Sequence, residues 1–301
     1  MAGGFRIGID LGGTKIEAAL IDPGGAMRDR RRIPTPIGDY DAEIAAVAGL
    51  VLAIEREHGI RASVGIGIPG TISAQTGLVK NANSTWLIGR PLQRDVIAML
   101  DREVRFANDA NCFALSEAVD GAAAGCAGVF GAILGTGVGG GIVIDGRIVT
   151  GVNAVAGEWG HNPLPWPQAN ELPGPSCYCG RAGCIETFLS GPGLARDHGS
   201  LTGPEIVAAA ETGDAAALAT LERYAERLAR ALASVINLLD PDAIVLGGGL
   251  SGIAMLYERV PALWRRFVFS DTVETRLLPP KHGDSSGVRG AAWLWPPEAA
   301  G

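Results

Sequence analysis

Residues 8–15 read GIDLGGTK. Asp10 stands inside an apolar run, FRIGIDL at 5–11, and the chain turns at Gly12-Gly13 into a second run over Thr14–Asp22. A strand entering a glycine turn leaves backbone N–H groups unpaired at its end, and without a Cβ a phosphate can approach that backbone closely. The arrangement returns twice, as GTGVGGG at 135–141 and GGGL at 247–250. Any one of these suits a tight turn. Three together, two carrying a threonine, predict a nucleotide cradle from Gly12, Gly13, Thr14, Thr136, Gly137, Gly247, Gly248 and Gly249. Lys15 either pairs with phosphate or is solvated. Gly135-x-Gly137-x-x-Gly140 has the dinucleotide spacing, but 141–144 reads as a strand where that fingerprint needs a helix. GIDLGGTK is not a Walker sequence either. Asp10 either caps the turn or faces a cation, because a carboxylate in an apolar strand is costly without a partner; Mg²⁺ accompanying a nucleotide would satisfy it.

The chain has 301 residues, 44 of them glycine, with 47% hydrophobic residues and a formal net charge of −7. Glycine is at roughly twice its usual share, with no G-X-Y period, so these glycines belong to a folded chain with a core. The acidic balance, without a Lys/Arg block, speaks against nucleic acid and against an anionic membrane surface. The N-terminus lacks a signal-peptide pattern. Residues 121–144 pass without a charge, but their glycines make them buried strands around a turn, not a membrane span. Five unevenly spaced cysteines give no disulfide framework, and the cytoplasm is the expected compartment.

Helical patterns cover 41–56 (ended by Gly59), 91–102, 110–119, 214–239 (stopped at Asp240-Pro241), 253–266 and 286–295; strands cover 63–68, 105–107, 129–134, 141–144 and 243–246. The strand–glycine–strand pattern with crossover helices occurs twice. It predicts two closely coupled α/β domains facing one cleft, 1–118 and 119–285, with a loop over 160–185.

Asn108-Asp109 closes a strand and opens a helix, where both residue types also serve as N-caps. Glu158 and His161 lie in GEWGH, Glu186 in CIE, and Asn81 and Asn83 in KNANSTW. Carboxylates and amides without excess Lys or Arg suit a neutral polyhydroxyl ligand. A sugar and a nucleotide together imply phosphoryl transfer to an alcohol, which needs a base for the hydroxyl proton; Asp109 is the candidate. His161, Cys177, Cys179 and Cys184 form one imidazole and three thiols within 24 residues, a closed structural zinc set that would hold the 160–185 loop. Cys112 and Cys126 read as core residues.

Together, GIDLGGTK, NDAN at 108–111, GTGVGGG, GEWGH and CYCGRAGCIE resemble the ROK family of sugar kinases, within the actin-like ATPase superfamily, over essentially the whole chain. The resemblance implies two ribonuclease-H-like domains closing on a sugar, with ATP and Mg²⁺ in the cleft. It makes Asp109 the base and Asn83, Asn108, Asp109, Glu158, His161 and Glu186 the sugar-binding set. His161 and the three cysteines would hold zinc, and a last helix, 286–301, would pack back on the N-terminal domain. KNANSTWL at 80–87, EWGHNPLPW at 158–166 and HGDSSGVRGAAWLWP at 282–296 are most similar to bacterial fructokinases, implying fructose phosphorylated at its 6-hydroxyl. N-acetylglucosamine, glucose and mannose kinases of the family are the alternative, and a non-catalytic sugar-sensing regulator is the alternative of a different class. A DNA-binding winged helix would find no room ahead of Phe5. Homodimerisation stays open.

Overall fold

The computed structural model describes residues 4–82 and 84–296. Its first half contains β1 (Arg6–Leu11), β2 (Lys15–Ile21), β3 (Met27–Pro34), α1 (Tyr40–His58), β4 (Ser63–Ile68), β5 (Thr71–Ile72), β6 (Val79–Lys80), α2 (Leu92–Leu100), β7 (Val104–Asn108) and α3 (Asp109–Val119). The second half contains β8 (Gly128–Leu134), β9 (Val138–Ile144), β10 (Arg147–Ile148), α4 (Ile185–Leu189), α5 (Gly191–His198), α6 (Gly203–Glu211), α7 (Ala215–Leu239), β11 (Ala243–Gly247), α8 (Leu256–Trp264), β12 (Arg276–Leu278) and α9 (Ser286–Trp293). No helix among the described residues is long and apolar enough to cross a membrane.

Two sheets share one plan. The first runs β3-β2-β1-β4-β7, antiparallel through β1–β3 and parallel from β1 through β4 to β7. The second runs β10-β9-β8-β11-β12 with the same directions. The β1–β2 turn at Gly12–Thr14 and the β8–β9 turn at Gly135–Gly137 are therefore equivalent.

Local chemistry sets the element ends. Asp39 caps α1 by accepting from the Ala42 N–H, and Gly59 ends it in the left-handed region. Asp214 caps α7, which buries Leu221, Leu228, Leu232 and Ile236 and stops at Asp240, ahead of Pro241. Strand β3, MRDRRRIP, carries no apolar alternation. It is an edge strand made by pairing with β2 and by Arg30 and Arg32, which grip the buried Glu17. Helices α4, α5 and α6 occupy residues 185–211, where the hydrophobic pattern is short. Helix α8 starts at Leu256, after a 3₁₀ turn over Gly249–Gly252, not at 253. Strand β9 starts at Val138, so Gly139, Gly140 and Gly141 belong to a strand and the loop is only 135–137. Glycine is required there because α3 crosses directly above: a Cβ on Gly141 would lie 2.5 Å from the Ala110 carbonyl oxygen.

Each sheet has its own apolar core, and a third core joins them. It holds Ala19 and Ile21 of one sheet, Val129, Val143 and Val245 of the other, and Phe113, Ala114, Val288 and Ala292 from α3 and α9. Helix α9 ends at Trp293, and residues 297–301 lie outside the described residues. It lies almost on the backbone of the first sheet. A Cβ on Gly8 or Gly65 would come 1.9 Å from the carbonyl oxygens of Val288 and Ala291, and one on Gly290 would come 1.6 Å from that of Cys112 in α3. Buried Glu117 of α3 locks this contact. It accepts from Ser286 Oγ (2.7 Å) and from the Lys281 N–H (3.1 Å).

Candidate active site

Parallel strands β1 and β7 carry their C-terminal ends, Asp10 and Asn108, to one side of the first sheet. Asn108 is a true N-cap: its Oδ1 accepts from the Ala110 N–H (2.9 Å). Its Nδ2 donates to the Gly70 carbonyl (3.0 Å), fixing the start of α3 against the β4–β5 connection. Asp109 follows as the first helical residue and accepts from the Ala110 N–H (2.8 Å). Burial pushes the Asp109 carboxyl up, the hydrogen bonds from Ala110 and Asn108 oppose this, and Glu158 adds to the rise. Asp10 is pushed up to about 6 by burial and by the neighbouring carboxylates of Asp109 and Glu17, against Lys15 and Arg32.

The second half supplies the facing wall. Glu158 is exposed at the start of a 3₁₀ turn over Trp159–His161. Glu186, in the first turn of α4, accepts from the Val138 N–H (2.9 Å) at the tip of the β8–β9 hairpin. A Cβ on Gly137 would meet that same Glu186 carboxylate at 2.7 Å. Asp10 and Asp109 thus lie within electrostatic reach of each other, as do Asp109 and Glu158, while Glu186 is tied to the tip of the β8–β9 hairpin. Gly12, Gly13, Thr14 and Lys15 form the β1–β2 turn, closed by the Gly12 N–H to Lys15 carbonyl bond (3.0 Å). Asn83 lies outside the described residues; Asn81 is exposed, at φ 57°.

Behind the hairpin lies a cavity of about 820 Å³, lined by Gly135, Thr136, Pro204, Val207, Gly249 and Ile253 among others. Of Gly247, Gly248 and Gly249 at the end of β11, only Gly249 lines it. The Phe113 ring closes on Gly247, and Gly248 stacks on the Leu134 carbonyl, so packing dictates glycine at those two positions. The sequence reading overlooked the other wall, the first turns of α5 and α6. Its signal was present in the chain: Ser190 caps α5, and Thr202 with Glu205 forms a capping box, each followed by glycine and proline.

The donor set over 161–184 converges. His161 and the thiols of Cys177, Cys179 and Cys184 place one ligand atom each within 4.8 Å of one another. Cys177 Sγ lies 3.6 Å from His161 Nδ1, and Cys179 Sγ lies 3.6 Å from Cys184 Sγ. A tetrahedron with zinc–ligand lengths near 2.0–2.3 Å has edges of about 3.6–3.8 Å. A disulfide would need about 2.05 Å. The set fits a four-coordinate zinc ion with no open position. His161 Nδ1 faces the cluster, and Nε2 lies 3.1 Å from the Tyr178 hydroxyl. Tyr178, exposed beside the cluster, is a second residue the sequence reading passed over.

The ROK family model matches residues 6–298. The chain belongs to the ROK family. This ROK chain is 42% identical over 296 residues to the N-acetyl-D-glucosamine kinase of Escherichia coli O6:H1, covering 95% of this chain and 98% of that one. Among solved structures, the ROK hexokinase of Thermus thermophilus superposes with a TM-score of 0.84 at 32% identity, covering 96% of each chain. The ROK glucokinase of Streptomyces griseus, in complex with glucose and AMPPNP, gives 0.77 at 28% identity, over 97% of this chain and 99% of that one. The two repeated sheets are those of the actin-like ATPase fold.

Proposed function

We propose that this protein transfers the γ-phosphoryl group of ATP to a hydroxyl of a hexose. The observation that carries this reading is the β8–β9 hairpin. A Cβ on Gly137 would run into the carboxylate of Glu186, which is bonded to the Val138 N–H, while the adjoining Gly135 and Thr136 line the large cavity. A nucleoside in that cavity would extend its phosphates past Thr136 toward Asp109, Glu158, His161 and Glu186. The cavity lies within the size range of small-ligand sites, and its aliphatic walls suit a flat base.

In the proposed reaction the acceptor oxygen attacks the γ-phosphorus, the bond to the ADP oxygen breaks, and Asp109 takes the hydroxyl proton. Its raised pKa matches that role, because a base with greater proton affinity drives the transfer better. Asn108 positions it by anchoring the first turn of α3. Asp10 is the residue to hold Mg²⁺, since a half-buried carboxylate among carboxylates gains from a divalent cation. When bound, that ion supplies charge neutralisation at the phosphates. Zinc would be structural and would fix His161 toward the sugar.

Two acceptors are carried forward. The relatives 42% identical over nearly the whole chain are N-acetyl-D-glucosamine kinases, which supports that sugar. The segments at 80–87, 158–166 and 282–296 support D-fructose. A coupled ADP-release assay over N-acetylglucosamine, fructose, mannose and glucose tests the reading. One of them should raise turnover well above the ATP-only background, and no stimulation by any hexose overturns it.

A further inference from the structure

We propose that Glu43 of α1 is a positioning residue for the reaction, holding the segment 80–87 against the β1–β2 turn and the start of α3. This rests on the hexose-kinase reading above. The segment touches three parts of the site. Its backbone lies on Gly70, where a Cβ would meet the Lys80 carbonyl oxygen at 2.4 Å and the Ala82 nitrogen at 2.7 Å. The Gly70 carbonyl is the acceptor for Asn108 Nδ2, so the segment bears on the cap that starts the helix of Asp109. Ser84 is buried, and its Oγ lies 3.2 Å from where a Cβ on Gly13 would stand, at the β1–β2 turn. Lys80 Nζ donates across to the Asn153 carbonyl of the second half (3.1 Å), in the stretch that leads to Glu158.

Trp86 ties this segment to α1. It stands in the 3₁₀ turn over Thr85–Leu87, half-buried against the core of the first sheet, and its Nε1 donates to Glu43 Oε2 (2.6 Å). Glu43 is 1% exposed, and its Oε1 has no hydrogen-bond partner among the described residues. Burial pushes its carboxyl up, against the bond from Trp86. Packing alone does not account for such a group. An orphaned buried oxygen costs the desolvation of a polar atom, and leucine, of similar size, would fill the place without that cost. What the carboxyl supplies and leucine cannot is a directional acceptor. It fixes the orientation of the indole, and with it the backbone that lies on Gly70 and Gly13.

The experiment compares the full chain with Glu43→Gln, Glu43→Leu, Trp86→Phe and the double variant Glu43→Leu/Trp86→Phe. It reads ADP release with the best hexose, melting temperature and amide hydrogen exchange. Glu43→Gln keeps an acceptor oxygen for the indole and should hold kcat within about threefold of wild type. Glu43→Leu should lose about tenfold or more in kcat, while its melting temperature stays level or rises. Its KM for ATP should stay within about threefold, because the cavity proposed for the nucleoside is lined by the second half alone. Trp86→Phe should lose a factor similar to Glu43→Leu, and the double variant no more than either single one, since both remove the same bond. In the chain without substrate, amides 84–90 should exchange about tenfold faster in Glu43→Leu than in wild type. Wild-type kcat in Glu43→Leu, a kcat loss that tracks a fall in melting temperature, or losses that multiply in the double variant overturn the assignment. Unmoved exchange in a chain whose wild type turns over hexose normally overturns the role of Glu43 alone. A wild type that no hexose stimulates overturns the proposed function and this role with it.

Discussion

Replacing Gly290 by Ala drives a methyl group into the backbone that carries Asp109. The new Cβ would sit 1.6 Å from the Cys112 carbonyl oxygen and 2.8 Å from the Cys112 Cα. Bringing that first contact out from 1.6 Å to 3.0 Å, the tight limit for a Cβ, needs a retreat of about 1.4 Å. Helix α9 is blocked from retreating, because its other side already lies on Gly8 and Gly65. The movement therefore falls on α3, where Asp109 stands one turn before Cys112. A misplacement of ~1 Å costs about 100-fold in a positioned reaction, so kcat/KM should fall by that factor or more. Overpacking should also lower stability by roughly 1–3 kcal/mol. The assays are ADP release with the best hexose and chemical denaturation. Gly49→Ala is the contrast: Gly49 lies exposed inside α1 with open space around it, so alanine should stabilise by roughly 0.4–1 kcal/mol and leave turnover alone. Wild-type kcat/KM and denaturation midpoint in Gly290→Ala would refute the reasoning.

Asp109→Asn should lower kcat by about 10²–10⁴-fold while sugar affinity, read by calorimetry, stays near wild type. The base works deprotonated, so kcat/KM should fall as pH drops through its pKa; since burial raises that pKa, the acid limb should lie above the ordinary carboxylate value of 3.8. Elemental analysis should find one zinc per chain, and Cys184→Ala should lose the metal and lower the melting temperature; folded, active protein without metal would reject the site. Glu171 is almost fully buried between Arg227 and Arg230, which hold its carboxyl down at about 2 against burial. Glu171→Gln should cost about 3–5 kcal/mol in denaturation, because it leaves buried Arg230 without a carboxylate partner and Arg227 with Asp197 alone. The folded pKa of Glu171 is depressed, so its stabilisation is present above the unfolded value of 4.5 and is lost as pH falls toward about 2.

The residues proposed to bear the chemistry stand out in the sequence because their spacing is local. His161 and Cys177–Cys184 lie close in the chain, and Asn108-Asp109 are adjacent. The helix end at Gly59 and the stop at Asp240-Pro241 were readable for the same reason. Strand β3 was not, because its charged alternation acquires meaning only when Glu17 of β2 is buried beneath Arg30 and Arg32. Helices α5 and α6 announced themselves by caps, not by a long apolar stripe, and with them went one wall of the cavity behind the β8–β9 hairpin.

By itself, the sequence determined the repeated α/β plan and the four-donor cluster, since hydrophobic period, capping and ligand spacing act over a few residues. Only the tertiary structure decided which glycines serve a ligand and which serve packing. Gly249 lines a cavity, while Gly8, Gly65, Gly247 and Gly290 exist because another backbone or ring lies where a Cβ would be. A missing side chain reads the same in sequence whether it makes room for phosphate or for a helix 200 residues away. The same holds for Tyr178, which in sequence is a residue between two cysteines and in space is the group on His161.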